Sequence, residues 1–137
     1  MATLFTRIIE GEIPSWKVAE DDRHFAFLDI NPVVEGHTLV VPKVEIDYLF
    51  NLDSGDLQSL VVFSQKLAHV IDDTLNPIRT GVVVQGLEVP HAHIHLIPLY
   101  EQTQSMSLGQ NANVSEKRME EIADQLKIAW KEREGAS

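Results

Sequence analysis

The chain has 137 residues, 44% of them hydrophobic and 23% charged, with a formal net charge of −10 and no cysteine. This composition suits one globular domain spanning residues 1–137 with a sizeable core. The acidic balance argues against a nucleic acid polymer as partner, the missing thiols exclude disulfides and thiolate metal sites, and no apolar run approaches the ~20 residues of a membrane span. Met1 to Pro14 is broken by Arg7, Glu10 and Glu12 and lacks the apolar stretch of a signal peptide, so a cytoplasmic location is expected.

Leu4–Glu10 reads as a short amphipathic helix ended by Gly11 and Pro14. His24–Asp29 favours a strand through Phe25, Phe27 and Leu28, and Ile30-Asn31-Pro32 breaks it. His37–Val41, apolar and β-branched between Gly36 and Pro42, predicts a second strand. The strongest helical pattern runs from Ser54 to about Leu75, with Leu57, Leu60, Val61, Ser64, Leu67, Ala68, Ile71 and Leu75 at helical spacing and Asp53 or Ser54 as cap. Thr80–Gln85 and His91–Leu99 predict two further strands, joined closely enough for an antiparallel hairpin. A last helix, from Ser115 to about Lys131, puts Met119, Ile122, Ala123, Leu126, Ala129 and Trp130 on one stripe. Together these elements predict an α+β domain built on an antiparallel sheet.

Three of the six histidines fall in His91-Ala92-His93-Ile94-His95, followed by Leu96-Ile97-Pro98. On a strand, alternate residues share a face, so the three imidazoles would form a row with neighbours roughly 6–7 Å apart while Ala92, Ile94 and Leu96 pack behind them. Such a row can hold a catalytic zinc, or one ring can attack phosphorus while its neighbours neutralise the phosphoryl oxygens. Spacing alone does not separate these readings. Of the other three, His24 and His69 read as structural or surface residues.

Taken with Asp29-Ile30-Asn31-Pro32 and with Gly36-His37-Thr38-Leu39-Val40-Val41-Pro42-Lys43, the histidine segment resembles the histidine triad (HIT) family of nucleotide hydrolases and transferases. The resemblance covers roughly residues 3–100, beginning with Phe5-Thr6-Arg7-Ile8-Ile9-Glu10-Gly11-Glu12-Ile13-Pro14. It implies a HIT-like α+β fold, with an antiparallel sheet of about five strands, a long central helix and a C-terminal helix. It implies that His93 attacks the α-phosphate of a purine nucleoside monophosphate conjugate, a phosphoramidate, acyl-adenylate or dinucleoside polyphosphate. The nucleotidyl-histidine is then hydrolysed. His95 and His37 would contact the phosphate oxygens, and His91 would orient His93, partly through its backbone carbonyl.

In the same resemblance the Asp29 carboxylate accepts from the ribose hydroxyls, and Phe5, Ile8, Ile13, Phe27, Leu28 and Ile30 form an apolar base slot. Asn31, Gln85 and Glu88 complete the nucleotide-binding set. No cofactor or metal is needed on this route, and a homodimer is implied. Two departures stand out. Many bacterial relatives hold a structural zinc with Cys-x-x-Cys and a later histidine, where this chain has Thr3, Thr6 and Glu45; no such zinc is expected, and packing of the first helix must replace it. The loop Gln85-Gly86-Leu87-Glu88-Val89-Pro90 is short, with Glu88 where relatives place a hydroxyl, so Glu88 could be protonated, turned away or paired with a cationic leaving group. That loop keeps a catalytically weak nucleotide-binding module open as an alternative, with a zinc-dependent hydrolase third.

Overall fold

The computed structural model describes residues 2–136. Five antiparallel strands form one sheet: β1 (Lys17–Glu20), β2 (His24–Leu28), β3 (Thr38–Pro42), β4 (Arg79–Val83) and β5 (Ile94–Leu99), in the spatial order β1-β2-β3-β5-β4. Among the described residues three α-helices accompany them, α1 (Leu4–Ile9), α2 (Ser54–Leu75) and α3 (Glu116–Ala136), with a single 3-10 turn at Leu49–Asn51. Among the described residues no helix is long and apolar enough to cross a membrane.

Strand alternation divides the interior into two layers. Ala26 and Leu28 of β2, Val40 of β3, and Ile94 and Leu96 of β5 pack under α2 and α3 with Leu60, Leu67, Ile71, Ile122 and Leu126. The intervening residues Phe25, Phe27, Leu39 and Val41 face the other way, against Phe5 and Ile8 of α1. A short helix therefore covers one face and two long ones the other, which is why β2 and β3 are buried along their whole length.

The predicted α2 bounds hold. The Asp53 carboxylate caps the helix by accepting from the Asp56 N–H at 2.8 Å, and Asn76 ends it in the left-handed region at φ 55°. β1 escaped the sequence reading because Val18-Ala19 is a two-residue apolar core between Lys17 and Glu20, too short to show a period.

The predicted strand His91–Leu99 needs correction: it begins only at Ile94. The backbone before it is drawn into loop contacts, with the His91 N–H donating to the Val89 carbonyl at 2.8 Å and that of Ala92 to the Ile46 carbonyl at 2.7 Å. Alternation of sides nevertheless continues through this irregular stretch, since Ala92 joins the α2–α3 core while the rings of His91 and His93 pack on Phe5.

Candidate active site

The site lies where β3, β5 and α1 meet. A cleft of about 460 Å³ opens there, with His37, His93 and His95 on its floor and Phe5, Ile8, Ile13, Phe27, Ile30 and Leu39 on its walls. β3 presents Leu39 on the same face as the histidines, paired directly across from His95 of β5. His93 precedes the strand, and its ring stands edge-on to Phe5, centroids 5.0 Å apart.

Hydrogen-bond partners fix the neutral tautomer of each ring, since a carbonyl accepts only and a backbone N–H donates only. His93 Nδ1 lies 2.7 Å from its own chain's His91 carbonyl, so Nδ1 carries the proton and Nε2 keeps a lone pair. His37 Nδ1 accepts from the Val33 N–H at 3.0 Å, which puts the His37 proton on Nε2. That Nε2–H donates to His95 Nδ1 at 2.9 Å, leaving His95 with its proton on Nε2. The row thus presents a bare nitrogen on His93 beside an N–H donor on His95, the two rings 4.9 Å apart.

His91 plays a different part. It is completely buried and does not line the cleft, so the expected row of three imidazoles becomes two in the cleft and one behind. Its Nε2–H donates to the Pro42 carbonyl at 2.7 Å, and its Nδ1 accepts from the Thr3 hydroxyl at 2.8 Å. Thr3 also caps α1, with Oγ1 accepting from the Thr6 N–H at 3.1 Å. Glu45 closes the cluster: its Oε1 accepts from the Thr3 N–H at 2.7 Å and from the Thr6 hydroxyl at 2.8 Å. Those donors, the Thr3 N–H foremost, hold the Glu45 carboxyl below the ordinary carboxylate range. Thr3, Thr6, Glu45 and His91 therefore converge on one point. Hydrogen bonds as well as packing tie α1 to the histidine segment.

Burial sets the charge states. It pushes the pKa of His37 down, against a smaller opposing pull from the Asp29 carboxylate. Burial also lowers His91, partly offset by the Pro42 carbonyl. His95 falls to about 3, through burial first and then the neighbouring His93 and His37. His37 and His95 therefore stand as neutral rings, and His95 offers its Nε2–H to the cleft.

At the far end of the cleft Asp29 follows β2. Its Oδ1 accepts from the Asn31 N–H at 2.8 Å, and its Oδ2 lies 3.6 Å from His37 Nε2. Ile30, Asn31, Gln85 and Glu88 also line the cleft. Leu28 does not: it is 1% exposed and packs under α2 and α3, because it follows the inward-facing Phe27 on β2 and alternation sends it to the opposite layer. Asp29, His37 and His95 each offer one ligand atom within a 4.8 Å span that a cation could bridge. The hydrogen bond between His37 and His95 would first have to open.

Leu39 was absent from the expected set, although its i+2 spacing from His37 on a strand could have revealed it. Leu108, Gly109 and Asn111 were also absent from it. They come from a polar stretch with no periodicity, held by three anchors. Gln104 Nε2 donates to the Pro98 carbonyl at 2.7 Å, Met106 packs where a side chain on Gly81 would stand, and the Ala112 N–H donates to the Pro32 carbonyl at 2.7 Å.

Residues 10–102 match the HIT domain family. An uncharacterized HIT-like protein of Methanocaldococcus jannaschii is 36% identical over 129 residues, covering 90% of this chain and 98% of that one. An adenosine 5'-monophosphoramidase of Saccharomyces cerevisiae is 35% identical over 109 residues, covering 79% of this chain and 69% of the yeast protein. The crystal structure of a Hit-like protein from Bartonella henselae superposes with a TM-score of 0.80 at 31% identity, over 93% of this chain and 95% of that one. With its five-stranded antiparallel sheet and its paired histidines in one cleft, the chain belongs to the HIT family.

Proposed function

We propose that this chain hydrolyses conjugates of a purine nucleoside monophosphate at the α-phosphate, through a covalent intermediate on His93. The observation that carries this reading is the lone pair left on His93 Nε2 once Nδ1–H is committed to the His91 carbonyl at 2.7 Å. An imidazole so arranged is a nucleophile whose developing positive charge is met by a carbonyl oxygen at its far nitrogen. In the first step the bond from Nε2 to phosphorus forms as the bond from phosphorus to the leaving group breaks, and the leaving group takes its proton from solvent. In the second, water adds to phosphorus, the bond to Nε2 breaks, and the nucleoside monophosphate departs with a proton released. His95 Nε2–H supplies neutral hydrogen-bond donation to the phosphoryl oxygens, while His37, whose one N–H is spent on His95 Nδ1, holds that ring in place rather than contacting the oxygens itself.

The cleft suits a nucleotide on chemical grounds. Asp29 offers a bidentate acceptor for a vicinal diol, and Phe5, Ile8, Ile13, Phe27 and Ile30 provide apolar walls for a flat base. The yeast relative's name favours a phosphoramidate as the conjugate. A homodimer is part of the same reading. β4 is an edge strand; its Val82 and the Val84 just beyond its end stay 58% and 43% exposed, an apolar edge that invites a second copy. Residues 1–137 act as one unit in this view, since α3 packs on β1 and α2.

The test is turnover of adenosine phosphoramidate with rapid-quench mass spectrometry. Wild-type protein should accumulate an adenylyl adduct on the peptide containing His93. His93→Asn should lose the adduct and at least about 1,000-fold in kcat while keeping its fold. Turnover by His93→Asn within tenfold of wild type overturns the mechanism.

A further inference from the structure

On the opposite face of the sheet from the nucleotide cleft, Ser59 of α2, His24 at the start of β2 and Asp21 of the β1–β2 turn form a chain of hydrogen bonds. Ser59 Oγ lies 2.9 Å from His24 Nε2, and His24 Nδ1 lies 2.9 and 3.1 Å from the two carboxylate oxygens of Asp21. The carboxylate can only accept, so Nδ1 carries the imidazole proton and Nε2 accepts from the Ser59 hydroxyl. The order and the atoms are those of a nucleophile, its general base and the group that orients the base.

Each member is held in place. The His24 ring is 4% exposed and lies against Phe63, centroids 4.9 Å apart. Asp21 Oδ1 also accepts from the backbone N–H groups of Arg23 at 2.9 Å and His24 at 2.7 Å. Although burial raises the Asp21 pKa, these donors and the His24 ring outweigh it and keep the carboxyl below its usual range.

The three residues line a cavity of about 140 Å³ whose apolar walls are Val62, Phe63 and Trp130. Lys66, two helical turns on from Ser59, and Glu134 also line it. The volume falls below the ~300–1,000 Å³ of ordinary ligand pockets, which restricts it to a small group.

We infer that Ser59, His24 and Asp21 form a second nucleophilic site, which takes up short acyl groups from carboxylic esters. In acylation the Ser59 oxygen bonds to the carbonyl carbon and its proton passes to His24 Nε2. The bond from that carbon to the alcohol oxygen breaks, and the alcohol leaves with the proton from Nε2. Water then adds to the acyl carbon, giving its proton to Nε2. The bond to Ser59 breaks, the carboxylic acid departs, and Ser59 recovers its proton.

The full chain is treated with a small alkyl fluorophosphonate and, separately, with p-nitrophenyl acetate. The expected result is one adduct on the Ser59 peptide, formed at least about tenfold faster than in urea-unfolded protein, together with ester turnover. Ser59→Ala should abolish both while leaving phosphoramidate turnover unchanged. His24→Gln and Asp21→Asn should each slow labelling at least about tenfold, and Asp21→Asn decides the matter if the buried His24 cannot be replaced without unfolding. Absence of a Ser59 adduct, or equal labelling of folded Asp21→Asn and wild type, overturns the proposal.

Discussion

Thr3→Val keeps the size and branching of the side chain but removes the hydroxyl that joins α1 to His91. Two losses follow from the geometry. The cap on α1, where Oγ1 accepts from the Thr6 N–H at 3.1 Å, disappears, at about 0.5–2 kcal/mol for such a change. The His91 Nδ1 acceptor, in a ring that is 0% exposed, loses its only neutral donor at hydrogen-bonding distance below 3 Å, and an unsatisfied buried acceptor costs about 1–3 kcal/mol. Neither ring nitrogen can relieve this. Moving the proton to Nδ1 would forfeit the 2.7 Å bond to the Pro42 carbonyl, and protonating both would bury a charge.

The Thr6 hydroxyl, 3.5 Å from the same nitrogen, is already spent on Glu45. The expected loss is about 2–4 kcal/mol, a large share of the ~5–15 kcal/mol that stabilises a typical domain. In urea unfolding this lowers the midpoint by about 1–2 M for a slope of ~2 kcal/mol/M. Thr3→Ser, which keeps the oxygen, should stay within about 1 kcal/mol of wild type. The His91 carbonyl sets the proton position on His93, so kcat should fall in Thr3→Val and recover in Thr3→Ser. A Thr3→Val protein within about 0.5 kcal/mol of wild type, or a Thr3→Ser protein equally damaged, would refute the reasoning.

Stability should fall with acid below pH 6.5: His95 ionises near its ordinary 6.5 when unfolded but only near 3 when folded, so the unfolded chain binds the extra proton. By pH 4.5 that single ring costs on the order of 3 kcal/mol, and the lowered His37 and His91 add in the same direction; denaturation across pH 7 to 4.5 measures it, and a flat profile contradicts it. Asp29→Asn should erase preference for ribonucleotides over deoxyribonucleotides, read as the ratio of their kcat/KM values. Gly36→Ala should lower stability by about 2–4 kcal/mol, since φ is +88° and the new Cβ would meet Leu75 and stand 3.1 Å from Pro98; thermal melting checks it. Thr3→Cys with Thr6→Cys and Glu45→His should bind one zinc together with His91, and only this variant, not wild type, should lose thermal stability on adding a chelator.

How much of this was legible in the sequence differs element by element. α2 was readable to the residue because a long amphipathic helix repeats its signal over six turns and Asp53 and Asn76 punctuate it. β2 and β3 were readable because breakers bound them, yet their two-sided burial hid which residues face which layer. The family resemblance puts Leu28 in the base slot, and the apolar run of β2 offers no pattern to correct it; the side chain faces away. The triad segment carried a genuine period of two, but the local hydrogen bonds of His91 and Ala92 override strand pairing, so the period survives in sidedness and fails in secondary structure. Leu108, Gly109 and Asn111 reach the cleft through Gln104, Met106 on Gly81 and Ala112, contacts between segments that no local pattern encodes.

His24 illustrates the same limit in another way. In sequence it is one histidine at a strand start; only folding places it between an aspartate three residues away and a serine 35 residues away.

The cluster at Thr3, Thr6, Glu45 and His91 shows how a protein can dispense with thiols at this point. The task there is to hold the backbone of His91 still, because its carbonyl fixes the proton on His93 and so decides which nitrogen of that ring faces the cleft. A buried imidazole with both nitrogens bonded accomplishes this whether the second partner is a metal or a hydroxyl, since in either case Nε2 donates to the Pro42 carbonyl and Nδ1 gives up its lone pair. The two solutions differ in what they depend on. A metal clamp fails when the metal is withdrawn. The hydroxyl clamp fails when α1 frays, because Thr3 is at once the helix cap and the His91 donor. In this chain the six-residue helix and the His93 ring are therefore linked through Thr3 and His91, and with His93 as the proposed nucleophile any substitution that loosens α1 should be felt in kcat before it is felt in nucleotide affinity.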